Sequence, residues 1–267
     1  MDKLNQILEA KRVEVAGAKR LLSVFELEKS PHFNRPVQSF SAALRRGSPG
    51  IIAEMKRRSP SRGYINKEAD VSLVVPGYAA GGAAAVSVLT DRDFFGGGAH
   101  DLLQARALVD IPLLRKEFIV DQYQIIEARA LGADAILLIA AALNPTVVKS
   151  FTGFAHSLGM EVLLEVHDMD ELRESLDSGA DAIGVNNRNL KTFRVDLDTS
   201  RQLIDFIPDS VPAVAESGIE DPAVVRELYG LGYSGFLIGQ RFMQTSDPGA
   251  ACAGFISSLA DIVQNRG

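Results

Sequence analysis

Glu54 and Lys56 stand two residues apart after the apolar run Ile51-Ile52-Ala53, in the stretch IIAEMKRRSPSRG (51–63). On an extended chain, residues i and i+2 face the same way, so this carboxylate and this ammonium enter one environment together. Two charges taken out of water are costly unless they neutralise each other or are put to use. Held in a hollow, such a pair can give and take protons, the chemistry of general acids and bases.

Other short apolar runs end in the same manner. IPLLRKEF (111–118) carries Lys116, MEVLLEV (160–166) carries Glu165, and SGADAIGVNN (178–187) leads to Asn186 and Arg188, again two apart. VPAVAES (211–217) ends in Glu216 and Ser217 before Gly218, and LGYSGFLIGQ (231–240) ends in Gly239 and Gln240. GGAAAVSVLT (81–90) runs on through Asp91 to FFGGG (94–98), which includes Phe95, whereas LGADAILLIA (131–140) ends blandly. A lone charge at a strand end needs no explanation beyond nearby water. Carboxylates, lysines, an arginine and an asparagine converging on one mouth are a different matter, because a concave and partly desolvated place tunes acids and bases. The glycines of SGIEDP and IGQRF can turn backbone N–H groups toward an anion, which points to a phosphate-bearing ligand. Arg57, Arg58 and Arg62 either draw that ligand in or form a solvated face.

A mouth of this kind needs elements that bring distant residues together. Eight strand candidates alternate with helical segments: with IIAEMK, the phrases above supply one each. In four of them a glycine can end the preceding helix in the left-handed conformation before the strand begins. Asp121, Asn144-Pro145, Asp168 and Asp221-Pro222 are suited to open helices as caps or first-turn prolines. Eight alternations over about 210 residues indicate a (β/α)8 TIM barrel, in which sites gather at the carboxyl ends of the strands. A doubly wound open sheet is the competitor, and no Gly-rich dinucleotide turn follows the first strand. Pro76-Gly77 lies inside the first barrel helix, so that helix is expected to be kinked or broken. Before the first strand, Leu4, Ile7, Leu8, Val15, Ala18 and Leu22 form an apolar stripe at helical spacing, and a second short helix is expected over Phe40 to Arg45. The chain is therefore read as one TIM-barrel domain over 1–267, with 1–48 a helical extension packed on the barrel.

The totals set the outer limits. The chain has 267 residues, 46% hydrophobic and 23% charged, with a net charge of −6, an ordinary composition for a globular protein and a poor one for a nucleic-acid binder. The single cysteine, Cys252, suits a reducing compartment. The N-terminal stretch carries acids and lacks the long apolar run of a secretory signal, and no stretch reaches membrane-span length. The expectation is a cytoplasmic protein with no membrane and no nucleic-acid partner. The four histidines (His32, His100, His156 and His167) form no H-x-x-x-H or H-x-H pair, so no metal site is expected; His167, just after Glu165, is within reach of the mouth but reads more readily as an ordinary loop residue.

IAEMKRRSPSRG closely resembles the first-strand motif of the indole-3-glycerol phosphate synthase family, and SVLTDRDFFGG, LLRKEFIV, LLEVHD, GVNNRNL, VAESGI and FLIG match in order. The likeness spans essentially the whole chain. It implies conversion of 1-(2-carboxyphenylamino)-1-deoxyribulose 5-phosphate to indole-3-glycerol phosphate, with loss of CO2 and water and no cofactor. By the same resemblance Lys116 is the general acid and Glu165 the general base. Glu54 and Lys56 organise substrate and support proton transfer, and Asn186, Arg188 and Ser217 complete the polar set. Phe95 packs on the anthranilate ring beside Ser59 and Glu216, and Ser59, Gly218, Gly239 and Gln240 hold the phosphate. The family often has Ser or Glu where this chain has Gln240, which puts the side chain's role in doubt but leaves its backbone N–H available.

The partner expected is thus a phosphorylated small molecule, with the protein a monomer or weak homo-oligomer. Lys116, taken to lie among cations, is expected to have a lowered pKa. Two other readings fit part of this pattern: a Schiff-base aldolase-type phosphosugar lyase using Lys116, and a barrel that binds sugar phosphate without catalysis. The ring-closing chemistry requires Glu54, Lys116 and Glu165 to face one hollow, and the presence of Glu54, Lys56, Lys116 and Glu165 together speaks against the non-catalytic reading.

Overall fold

The structure, a computed structural model, describes residues 3–46, 48–189 and 192–260. Its centre is a closed barrel of eight parallel strands. These are β1 (Gly50–Met55), β2 (Ala85–Leu89), β3 (Leu113–Lys116), β4 (Ala135–Ile139), β5 (Glu161–Val166), β6 (Ala182–Asn186), β7 (Ala213–Glu216) and β8 (Gly235–Ile238). Each pairs with the next, and β8 closes on β1 through Ile52↔Leu237 and Ala53↔Ile238. The glycines of the four repeated phrases, at 82, 132, 179 and 232, all have positive φ, so each helix ends where the sequence places its stop.

The two-residue period of the strands divides the core. Outward-facing Ile51, Ala53, Val86, Val88, Leu138 and Leu164 pack under the surrounding helices. Inward-facing Ile52, Leu114, Leu137, Leu163, Val214 and Leu237 fill the barrel axis. Continuing each inward row by two residues leads from Ile52 to Glu54, from Leu114 to Lys116, from Leu163 to Glu165 and from Val214 to Glu216. The register sets these rows at one level, with Leu89 beside Lys116, Ile139 beside Glu165 and Asn186 beside Glu216.

The N-terminal segment serves both ends of the barrel. Helix α1 (Lys3–Leu21) buries Ile7, Leu8, Lys11 and Val15 at the carboxyl-end mouth. Leu22, the last residue of the expected stripe, lies beyond the end of α1 and is 42% exposed. Helix α2 (Val24–Glu28) follows, and its Leu27 joins Val15, Tyr123 and Ala130 in a small apolar cluster. Helix α3 (Phe40–Leu44) is capped by Ser39, and its buried Phe40 and Leu44 plug the floor. Leu44 leaves no room for a side chain at position 50, where a Cβ would stand 3.0 Å from its Cδ2. Within the segment, α1 adds to the wall of the mouth and α3 closes the opposite end.

Helix α4 (Val71–Ala80) runs on through Pro76-Gly77, so of the two outcomes expected there the break does not occur. The carbonyl that Pro76 cannot bond belongs to Ser72, which is exposed and can be hydrated. Gly77 has a packing reason: a Cβ there would lie 2.9 Å from Gly249 Cα on the crossing helix Pro248–Ser257. Among the described residues no helix is long and apolar enough to cross a membrane.

Gly77→Ala tests this crossing. Alanine is the better helix former by about 1 kcal/mol, yet the added methyl must push the helices apart, at a cost of about 1–3 kcal/mol. We expect a lower midpoint in thermal or urea unfolding. A midpoint at or above that of the wild type would show that the helices separate freely.

Candidate active site

The carboxyl ends of the strands open into a cavity of about 510 Å3. Glu54, Lys56, Ser59, Phe95, Lys116, Glu165, Asn186, Arg188, Glu216, Ser217, Gly218, Gly239 and Gln240 all line it, so the residues that the resemblance assigns to the site lie in one place.

Its centre is the Lys116 ammonium. Lys116 Nζ lies 3.0 Å from Glu165 Oε2 and is also hydrogen-bonded to Glu216 Oε2. Burial alone would lower the lysine's pKa, but the Glu216, Glu165 and Glu54 carboxylates around it outweigh that and hold it above the ordinary value. This corrects the expected lowering: Lys116 sits among carboxylates, not among cations. Burial opposes the Glu165 carboxylate as well, but the Lys116 charge, with the nearby His167 ring and a hydrogen bond from Asn186, holds its pKa low. Asn186 Nδ2 donates to Glu165 Oε1 at 3.0 Å. Glu216 goes the other way: burial dominates, and its pKa is pushed up to about 7. Its Oε1 is buried and has no hydrogen-bond partner.

Beside this triad, Lys56 is hydrogen-bonded to Glu54, so the pair that opened the sequence is neutralised within itself. Glycines make room for these carboxylates. A Cβ at Gly184 would stand 2.3 Å from Glu216 Oε1, and one at Gly239 would stand 2.5 Å from Glu54 Oε1. At the end of β7, Ser217 has φ 65° and Gly218 φ 78°, a left-handed corner that is strained at the serine. Asn187 Nδ2 holds it, donating to the carbonyls of Glu216 at 3.0 Å and Ser217 at 3.2 Å.

The loop after β1 divides the arginines. Residues Arg58–Ser59 and Gly63–Tyr64 pair as a two-rung hairpin whose tip, Pro60-Ser61-Arg62, lines the cavity. Arg57 instead binds Asp101 at 2.6 Å, and Arg58 donates to the Asp93 carbonyl at 2.9 Å, so both pin the loop to the segment after β2. Burial lowers the Arg188 pKa, and the Arg62 charge lowers it further, which marks two guanidinium groups near each other. The Ser59 hydroxyl is buried without a partner. Gln240 Nε2 reaches Glu220 Oε1 at 3.3 Å, so its side chain is engaged there and its backbone remains for the cavity.

Sequence reasoning missed four contributors. His167 is no ordinary loop residue: its ring lies 3.3 Å from Glu165 and 3.1 Å from Glu171, and these acids raise its pKa to about 10 despite burial. Asn187, the second asparagine of GVNNRN, carried no signal of its corner-holding role. Phe118 joins the wall, its ring 6.0 Å from that of Phe95, and α1 adds Lys3, Leu4 and Ile7. The helical stripe places Leu4 and Ile7 on one face but does not say what that face covers.

A family model described as indole-3-glycerol phosphate synthase matches residues 4–255. The indole-3-glycerol phosphate synthase of Bacteroides thetaiotaomicron is 46% identical over 258 residues, covering 97% of this chain and 99% of that protein. Those of Burkholderia vietnamiensis and Laribacter hongkongensis are each 44% identical, covering 94% of this chain and 98% of theirs. Among solved structures, thiamine phosphate pyrophosphorylase from Pyrococcus furiosus superposes with a TM-score of 0.60 at 19% identity, covering 83% of this chain and 98% of that one, a likeness of fold alone.

The raised Glu216 makes a stability prediction. A carboxyl whose folded pKa exceeds its unfolded one favours the fold fully below the unfolded value, and that contribution is lost as pH rises through the folded value. For Glu216 this window runs from 4.5 to about 7. Glu216→Gln, which cannot ionise, should match the wild type in thermal unfolding below the window and melt higher above it. Equal melting temperatures on both sides would show that Glu216 is not raised.

Proposed function

The chain belongs to the indole-3-glycerol phosphate synthase family, and we propose that its ring closure runs through Lys116, Glu165 and Glu216 at the barrel mouth. The reaction takes 1-(2-carboxyphenylamino)-1-deoxyribulose 5-phosphate to indole-3-glycerol phosphate with loss of CO2 and water, a carboxy-lyase step of tryptophan biosynthesis. The observation that carries the residue assignment is the Lys116 ammonium shared by two buried carboxylates.

Ring closure needs the aryl carbon bearing the carboxylate to attack the ketone, whose oxygen must take a proton as the new C–C bond forms. Lys116, held protonated, supplies it. Departure of CO2 returns its bonding electrons to the ring and restores aromaticity. The new hydroxyl then leaves as water with a second proton, and the five-membered ring loses one proton to become indole. Glu165 gains basicity when it is wanted, because the charge that chiefly depresses it is the proton Lys116 has just given up. Glu216, with a pKa of about 7, can return a proton to Lys116 near neutrality. Glu54 and Lys56 supply a second acid–base pair for the dehydration.

The phosphate is assigned to Ser59, Gly218, Gly239 and the Gln240 backbone, with Arg62 and Arg188 as its cations. Phe95 and Phe118 form a flat apolar wall for the anthranilate ring. Holding the phosphate fixes the reacting half in an attack geometry. A carboxylated sugar phosphate does not cross a membrane unaided, so we place this chemistry in the cytoplasm. The Schiff-base reading loses ground, because imine formation needs a neutral amine and Lys116 is held as the ammonium.

Fluorescence detection of indole-3-glycerol phosphate from the carboxyphenylamino-deoxyribulose phosphate tests the assignment. Lys116→Ala should lose at least about 10²-fold in turnover, the scale of a lost general acid, while circular dichroism shows it folded. A variant turning over at near the wild-type rate would remove Lys116 from the mechanism.

A further inference from the structure

Lys11, in the middle of α1, is only 1% exposed, and no step of the ring closure uses it. Its Nζ lies 2.9 Å from Asp91 Oδ2, 3.1 Å from Glu117 Oε1 and 2.8 Å from Glu14 Oε2. Asp91 and Glu117 are themselves buried, whereas Glu14 reaches solvent. Lys11 is therefore the ammonium bonded to both buried carboxylates, and each of these stands next to part of the proposed site. Asp91 follows the end of β2, and its Oδ1 accepts from Phe94 N at 2.7 Å to start the short helix Arg92–Phe95 that carries Phe95. Glu117 follows Lys116 directly and accepts from Phe118 N at 2.8 Å and from Thr90 Oγ1 at 2.7 Å. Thr90 Oγ1 in turn accepts from Arg115 Nε at 3.2 Å, and Thr90 N bonds the Lys116 carbonyl at 3.2 Å.

We propose that Lys11 is a positioning residue for the ring closure: by neutralising Asp91 and Glu117 together, it holds the ends of β2 and β3 side by side and with them Phe95, Phe118 and Lys116. The proposal rests on the reading of these three as the ring wall and the acid. Removing the cation would leave two buried carboxylates facing one point, and like charges in a dry site separate or share a proton. The charged groups around that point are Lys11, Glu14, Asp91, Glu117 and Arg115. Burial and the Asp91 charge already push Glu117 up, and Lys11, then Arg115 and the Thr90 hydrogen bond, restrain it.

The test compares wild type, Lys11→Met and the double variant Lys11→Met/Asp91→Asn, with kcat and KM measured across pH on folded protein. Misplacing the wall and the acid should cost Lys11→Met about 10- to 100-fold in kcat/KM. The loss should deepen as pH rises and the carboxylate pair ionises fully. In the double variant the new amide at position 91 keeps the helix cap through its oxygen and can donate to Glu117 through its nitrogen. The added pH dependence should therefore disappear and part of the activity return. If Lys11→Met does not fold, the double variant carries the test, and parallel pH profiles for it and the wild type are then the expected result. Lys11→Met that melts lower but keeps kcat/KM within about twofold of wild type at every pH would overturn the proposal, and so would a double variant whose loss still deepens as pH rises, leaving Lys11 as a mere anchor. An inactive wild type would instead sink the reading of the site.

Discussion

The mouth depends on charge compensation out of water. Lys116, Glu165 and Glu216 come from β3, β5 and β7, and none of them is tolerable there alone. A buried ammonium offsets two carboxylates, and each strand end is positioned so that its charge meets the others. Features that look incidental follow from this. Gly184 and Gly239 have no side chains because Glu216 and Glu54 occupy that space. Asn186 spends its amide on Glu165, and Asn187 spends its own on the strained corner that ends β7. The apolar rows beneath, Ile52, Leu114, Leu163 and Val214, supply both the floor and the low dielectric that makes the compensation strong.

The period-two strand is why so much of this could be read from sequence. Glu54 and Lys56 had to share a face, and a glycine before each of four apolar runs had to stop a helix, whatever the tertiary structure. What could not be read depends on partners far along the chain. The sequence shows arginines in the loop after β1 but not their partners: Arg57 and Arg58 are consumed by Asp101 and the Asp93 carbonyl, and the near neighbours of Lys116 are acids. His167 gave no local sign of being held between Glu165 and Glu171. Pro76 predicts a break, but the lost hydrogen bond falls on an exposed turn and the next residue is needed small at a helix crossing. Lys11 did leave a trace, since it sits on the apolar stripe between Ile7 and Val15, where a lysine must find acids or leave the stripe.

The N-terminal segment shows how an extension becomes part of a barrel. Its two ends do opposite work. At the floor, Phe40 and Leu44 of α3 complete an apolar core that the strands alone leave open, and Gly50 and Gly235 let Leu44 in. At the mouth, α1 brings Lys3, Leu4 and Ile7 to the cavity wall. Between them the chain is tied along one flank, where Tyr123 donates to the Leu22 carbonyl at 2.9 Å and Arg35 binds Asp134 at 2.6 Å. A substrate in the mouth therefore touches a helix whose placement also depends on the flank below it.

The charges of the cavity also give it a direction. Around Lys116 the near charges are Glu216, Glu165 and Glu54, whereas the charge closest in effect on Arg188 is Arg62. A ligand anion is thus repelled by carboxylates in one region and drawn by two guanidinium groups in the other. A substrate carrying a phosphate gains most by placing it near Arg62, Arg188 and the unpartnered Ser59 hydroxyl. On the proposed assignment the reacting ketone is then left near the Lys116 ammonium, a cation of the carboxylate region with a proton to give. A chain of net charge −6 can bind such an anion because the surplus of acids lies elsewhere or is already paired, and the local field rather than the total decides which way the ligand enters.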